Sequence, residues 1–324
     1  MSLPRPALLA VILCLAGCGG EQSMFAPAGE EADKVLFLTW AMVLLFTAVF
    51  VLVMAFTLAA FVAPDRWRSR MQGEKLVVRM GLVFPVVVLS VVLAWGFWLL
   101  QRAGLPGSAA DIHIRVEGEQ WWWRVTYPLE DGTDLETANE IRIPTGALVE
   151  LELVSADVLH SFWVPAWAGK MDMIPGRTNR LRFRVETAGI VRGQCAEYCG
   201  GAHALMSLYG VAMEPGEFAD WLERERSTAR PLQADPGRKV FLSSGCGACH
   251  QVRGVVESVG TGPDLTHVGS RLSLGAGLLP NDVDAFERWL AHHTTLKPGN
   301  LMPAFGFLTA RERRQLAEYL DALE

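Results

Sequence analysis

Two short stretches of the chain concentrate the side chains that hold metals. In Cys195-Ala-Glu-Tyr-Cys-Gly-Gly-Ala-His-Ala-Leu-Met206, two thiols, an imidazole and a thioether fall within twelve residues, spaced Cys-x3-Cys-x3-His-x2-Met. Thiolate, imidazole and thioether are the soft and borderline donors that copper favours. A Cys-x3-Cys pair alone is more often a disulfide or a zinc pair, but His203 and Met206 in register with Cys195 and Cys199 favour copper. Further on, Cys246-Gly-Ala-Cys-His250 has the spacing of c-type haem attachment. In that chemistry Cys246 and Cys249 form thioethers with the porphyrin and His250 ligates the iron from one face.

Each site needs a partner from elsewhere in the chain. A blue copper site uses one thiolate, two histidines and a weak axial ligand, whereas here there are two thiolates. Two thiolates bridging two coppers, with one histidine on each metal, use every strong ligand once a second histidine is found. His160, in the apolar segment Val158-Leu-His-Ser-Phe-Trp-Val-Pro165, is the candidate. The backbone carbonyl of Glu197 and the thioether of Met206 then serve as weak axial ligands. His113 is read as a surface or packed histidine. The haem iron needs a sixth ligand. Met302 precedes the last helix, and His267, His292 and His293 compete with it. A thioether there raises the reduction potential, which suits a donor to copper.

The remaining sequence must position these sites. At 324 residues the chain exceeds one typical soluble domain. Ala7 to Gly17 is an apolar run too short to span a bilayer, and it ends in Leu15-Ala16-Gly17-Cys18, so residues 1–18 read as a lipoprotein-type export signal with Cys18 the lipidated residue. Val35 to Pro64 and Met80 to Gln101 contain no charged residue, giving transmembrane helices over 35–63 and 77–101. Basic residues outnumber acidic ones between Asp65 and Lys75, which assigns that loop to the cytoplasm and everything after Arg102 to the outer face.

Beyond a small-residue linker the periodicity changes to two. Ile112, Ile114 and Val116, then Val149, Leu151 and Leu153, then Leu181, Phe183 and Val185 alternate with polar residues, a pattern that predicts an antiparallel β-sandwich within 111–226, closed by a helix from Glu214. Residues 236–324 have helical periodicity, with a last helix from about Thr309. The fold class expected is multidomain: a two-helix transmembrane hairpin, an all-β sandwich (cupredoxin-like by resemblance) and an all-α haem domain. All six cysteines fall in three close pairs with local explanations, leaving none for a structural disulfide. The middle region carries twelve basic against nineteen acidic residues. That balance argues against nucleic acid and suits a basic protein partner.

Residues 30–225 resemble subunit II of the haem–copper oxidases. The resemblance rests on Leu159-His-Ser-Phe-Trp-Val-Pro165 and Gln194-Cys-Ala-Glu-Tyr-Cys-Gly-Gly-Ala-His-Ala-Leu-Met206. It implies a dinuclear copper A centre with His160, Cys195, Glu197 (through its carbonyl), Cys199, His203 and Met206 as ligands. The Glu197 carboxylate resembles one that helps hold magnesium at the contact with subunit I. Gly118-Glu-Gln-Trp-Trp-Trp123 resembles the family's aromatic segment, in which Trp121 matches the tryptophan through which electrons enter. Residues 236–324 resemble a class I cytochrome c, with Gly262-Pro263-Asp-Leu265 and Met302-Pro303 matching its pattern and favouring Met302 as sixth ligand. One departure concerns the second transmembrane helix. Pro85 fits the family, but Val78 stands where many members have a glutamate at the mouth of a proton channel.

The resemblance implies the subunit of a terminal oxidase where electrons enter, in the bacterial cytoplasmic membrane with both soluble domains on the periplasmic face. Electrons would come from a donor such as cytochrome c or a quinol-oxidising complex, pass through haem c to copper A, and go on to catalytic subunit I, with subunit III a further partner. Dioxygen reduction and proton translocation would belong to the complex, with no dioxygen-reducing centre in this chain. Two alternatives carry similar motifs. One is the copper A small subunit of a nitric oxide reductase. The other is a copper-delivery chaperone fused to cytochrome c, whose histidine lies well downstream of its cysteines in a thioredoxin-like domain.

Overall fold

A computed structural model describes residues 20–67, 73–102, 109–229, 235–257 and 260–324. The export signal and Cys18 lie outside the described residues. The chain divides into two compact units, one of residues 34–108 and one that joins the segment before it to everything from 109 onward.

In the first unit, helix α1 (Glu30–Val62) is followed by α2 (Glu74–Val78), a π-helical turn (Arg79–Val83) and α3 (Phe84–Arg102). Two helices, Glu30–Val62 and Glu74–Leu99, are long and apolar enough to cross a membrane. Side chains such as Phe37, Leu44, Phe61 and Leu93 are exposed, as a lipid-facing surface requires. α1 starts ahead of the uncharged run, because Glu30, Glu31 and Asp33 fall in its first turn, where acidic side chains complement the helix dipole. The π-turn ends just before Pro85, which has no N–H to continue a regular ladder.

The second unit opens its sandwich with β1 (Ile112–Glu119), β2 (Trp122–Pro128), β3 (Asp134–Ala138), β4 (Glu140–Pro144) and β5 (Leu148–Ser155). It continues with β6 (His160–Trp163), β7 (Met171–Met173), β8 (Asn179–Arg184), β9 (Gly189–Cys195) and β10 (Ser207–Met213). The sheets run β3-β2-β1-β5-β8 and β4-β10-β9-β6-β7. Alternation places Ile114, Val116, Val149, Leu151, Leu153 and Phe183 inward, where they meet Trp123, Phe162 and Trp167 in one core. The expectation of wholly antiparallel strands needs correction, because β1 pairs with β5 and β10 with β4 in parallel. A period of two reports which face is buried and carries no information on strand direction.

Helix α4 (Pro215–Arg226) packs Phe218 and Trp221 against Tyr127. The helical portion then follows with α5 (Pro236–Ser243), α6 (Val283–Leu296) and α7 (Ala310–Asp321) around Phe241, Leu290, Leu316 and Tyr319. Each begins with a side-chain cap. Asp235 and Asp282 accept backbone N–H groups, and Thr309 forms a reciprocal capping box with Glu312.

The β-rich and helical portions fall within one compact unit. Polar contacts hold them together. Glu140 accepts from the Leu272 N–H, Arg192 donates to the Gly277 carbonyl at 2.9 Å, and the Ser207 N–H donates to the Ala276 carbonyl at 3.1 Å. Near the connection, Arg253 donates to the Glu225 carbonyl at 2.5 Å, and His267 Nε2 lies 3.0 Å from the Ser227 carbonyl.

Candidate metal centre and haem cavity

β6 and β9 are adjacent antiparallel strands, with Phe162 opposite Cys195. This pairing carries His160, at the start of β6, to the loop that leaves β9, although thirty-five residues separate it from Cys195. The ligand atoms of His160, Cys195 and Cys199 lie within 4.8 Å of one another, and all three residues are buried. Cys195 Sγ is 3.8 Å from Cys199 Sγ, well beyond a disulfide bond, and both cysteines are free thiols. Cys195 Sγ is 3.8 Å from His160 Nδ1 and 3.2 Å from the Glu197 carbonyl. Cys199 Sγ is 3.5 Å from His203 Nδ1 and 3.9 Å from Met206 Sδ. Three predicted side-chain donors, His160, His203 and Met206, and the Glu197 carbonyl are thus gathered around two facing sulfurs. The donor set is rich in sulfur and imidazole, with His160, Cys195, Cys199 and Met206 buried, which fits copper.

The local electrostatics suit a cation. The hydrogen bond between the two thiols pushes Cys195 down and Cys199 up. Burial works against charge on His160, yet its hydrogen bonds with Cys195 and Asp157 leave its pKa above the ordinary value. Asp157 was not singled out from the sequence. Its Oδ1 lies 2.7 Å from His160 Nε2, which fixes the proton on that nitrogen and turns Nδ1 to the sulfurs. A carboxylate three residues before a ligand histidine was the available signal. Gly118 underlies the same ring, since a Cβ there would lie 2.9 Å from His160 Cδ2.

The three adjacent tryptophans divide their roles. Trp123 is fully buried against His160 and Phe162. Trp122 lies under the Arg124 guanidinium, 4.7 Å from its ring centre. Trp121 is turned to the candidate centre, its indole N–H donating to the Cys199 carbonyl at 3.0 Å, beside Gln120 Nε2 at 2.7 Å. The Glu197 carboxylate, expected to help hold magnesium, is partly exposed, 3.9 Å from Lys170 Nζ.

On the helical side, a cavity of about 450 Å³ is lined by Cys246, Cys249, His250 and Met302, with Trp121 and Trp122 closing it from the sandwich. His250 Nδ1 lies 2.8 Å from the Pro263 carbonyl. That contact places the proton on Nδ1 and leaves Nε2 free to ligate. Burial holds the His250 pKa below its ordinary value, favouring the neutral, ligating form. Gly262 is the only residue type that fits beside it, because a Cβ would come within 2.6 Å of the imidazole. The cavity therefore fits a covalently attached porphyrin. The competing histidines are engaged elsewhere or exposed. His293 has Asn300 Oδ1 at 3.2 Å and the Pro303 carbonyl at 3.1 Å on its two nitrogens, His267 faces Ser227, and His292 is exposed.

Comparison with known proteins places this architecture. The family described as cytochrome c oxidase subunit II, periplasmic domain, matches residues 129–212, and the cytochrome c family matches residues 234–324. Cytochrome c oxidase subunit 2 of Alkalihalophilus pseudofirmus is 32% identical, over 96% of this chain and 94% of that one. The chain belongs to the cytochrome c oxidase subunit 2 family. The subunit 2 of Bacillus subtilis is 31% identical, over 98% of this chain and 96% of its own. Among solved structures, the periplasmic domain of subunit II of cytochrome oxidase of Bradyrhizobium japonicum is 32% identical, covering 37% of this chain and 96% of that one, with a TM-score of 0.35. As a subunit 2 with its own cytochrome c portion, the chain is part of an oxidoreductase, and subunit I and a redox partner are implied. The family and its two apolar helices fit a membrane-anchored subunit.

Proposed function

We propose that this subunit accepts electrons at a haem c held by Cys246, Cys249, His250 and Met302, and delivers them to a dinuclear copper A centre held by His160, Cys195, Glu197, Cys199, His203 and Met206. Both groups, when bound, supply one-electron redox chemistry, and the copper centre would pass electrons to catalytic subunit I for dioxygen reduction coupled to proton translocation. The observation that carries the proposal is the position of Trp121. Its indole N–H is bonded to the Cys199 carbonyl, and its ring touches Gly299, three residues before Met302. One side chain therefore spans both sites.

The chain's own residues prepare the path. Asp157 orients His160, the Pro263 carbonyl orients His250, and Trp121, itself 7% exposed, excludes water between the two sites. The attached cytochrome keeps the donor at high effective concentration beside its acceptor. Residues 1–18 are assigned as the export signal, with Cys18 lipidated, and the sandwich (111–226) and cytochrome portion (236–324) are assigned to the periplasmic face of the bacterial cytoplasmic membrane. The Glu197 carboxylate is assigned to a magnesium site facing subunit I.

The test uses the full chain loaded with both groups. Rapid reduction of the haem should be followed by a first-order electron transfer to copper whose rate is independent of protein concentration. A rate proportional to protein concentration would mean that the two sites of one molecule are not in direct contact.

A further inference from the structure

His293 is a polar residue in a core position. The buried side chains of α6 include Phe286, Leu290 and His293, one stripe at helical spacing, and His293 is 1% exposed. A buried polar ring needs hydrogen-bond partners, and both of its nitrogens face the loop between α6 and α7. Nδ1 is 3.2 Å from Asn300 Oδ1, and Nε2 is 3.1 Å from the Pro303 carbonyl. Asn300 Nδ2 donates back to the His293 carbonyl at 3.1 Å. That contact turns Oδ1 toward the ring and toward the Met302 N–H, which donates to it at 3.1 Å. The two residues that the ring faces therefore bracket Met302. A neutral imidazole donates from one nitrogen, and from either nitrogen the bond lands on this loop.

The loop needs such a hold. No helix or strand falls between α6 and α7, so no regular ladder sets the direction of its side chains. Yet two adjacent residues face opposite ways. Leu301 is 89% exposed, whereas Met302 packs on the helical core and lines the cavity. Resting on the haem reading above, we infer that His293 is a positioning residue for the sixth ligand. It ties Asn300 and Pro303, on either side of Met302, to the buried face of α6 and so keeps the thioether turned to the cavity. With both nitrogens engaged in this way, His293 supports the sixth ligand and does not supply it. Groups that orient a metal ligand in this manner govern how firmly the ligand stays bound.

The test compares the haem-loaded full chain with His293→Phe, which removes both ring nitrogens, and His293→Gln, which keeps an N–H donor. Three readouts accompany quantified covalent haem: the thioether-to-iron charge-transfer band of the oxidised haem, the reduction potential, and the affinity for added imidazole, which competes with Met302 for the iron. His293→Phe should keep its covalent haem but lose intensity in the band, fall in potential and bind imidazole at least about tenfold more tightly. His293→Gln should recover most of the band and of the potential. A parental band, potential and imidazole affinity in His293→Phe would overturn the inference. So would a His293→Gln chain as impaired as His293→Phe, because the shape of the ring and not its hydrogen bonding would then matter. If His293→Phe does not fold, Asn300→Ala decides: tighter imidazole binding supports the inference, and parental affinity overturns it. A parent chain with covalent haem but no thioether band would overturn Met302 as the ligand, and this inference with it.

Discussion

The indole N–H of Trp121 donates to the carbonyl of Cys199 at 3.0 Å. Cys199 faces a second thiol, an imidazole and a thioether, so this bond joins an aromatic side chain directly to the backbone of the copper loop. On its other side the Trp121 ring is packed so closely on Gly299 that a Cβ there would lie 2.8 Å from it.

Trp121→Leu should therefore slow transfer from haem to copper by about tenfold or more, equivalent to at least ~1.4 kcal/mol of barrier. Copper and haem contents should stay at parental levels. Flash or stopped-flow reduction of the loaded chain measures the rate, and a parental rate would remove Trp121 from the path.

Gly299→Val acts from the opposite side. The new side chain meets the Trp121 ring, and Gly299 has φ +83°, a conformation costing a residue with a Cβ roughly 1–2 kcal/mol. The expected result is slower internal transfer with the copper spectrum intact. Comparison of the copper absorption bands with the transfer rate in one sample checks this.

Asp157→Ala removes the acceptor that fixes the His160 tautomer. Loss of such a supporting contact should weaken copper binding by about 10–100-fold. Competition with a chelator of known affinity measures the change, and Asp157→Asn, which retains an acceptor oxygen, should be less affected.

Met302→Ala should leave the haem covalently attached, because Cys246, Cys249 and His250 are untouched, but lower its potential through loss of the thioether ligand. Absorption spectra and a redox titration report both. His293 is not expected to replace it, with both ring nitrogens already facing acceptors.

Much of the site was legible because ligand chemistry imposes residue types at fixed spacings. Cys195, Cys199, His203 and Met206 share one loop, and Cys246, Cys249 and His250 share another. His160 was legible because it lies in a distinctive apolar segment, though only the pairing of β6 with β9 brings it to the sulfurs. Asp157 was not, since a lone carboxylate in sequence looks like any solvated charge until its contact with His160 is seen. The docking of the two soluble portions was equally hidden. It depends on carbonyls at Ala276 and Gly277 and single side chains such as Glu140 and Arg192, none of which leaves a periodic trace. The parallel pairing of β1 with β5 escaped for the related reason that alternation encodes faces, not directions.

The proposal stands on two coppers that His160, Cys195, Cys199, His203 and Met206 would hold together. Electron paramagnetic resonance of the fully copper-loaded chain tests it most directly. One electron shared by two equivalent copper nuclei gives seven hyperfine lines, and metal analysis should find two coppers per chain. A four-line pattern at full loading, with one copper per chain, would contradict the account.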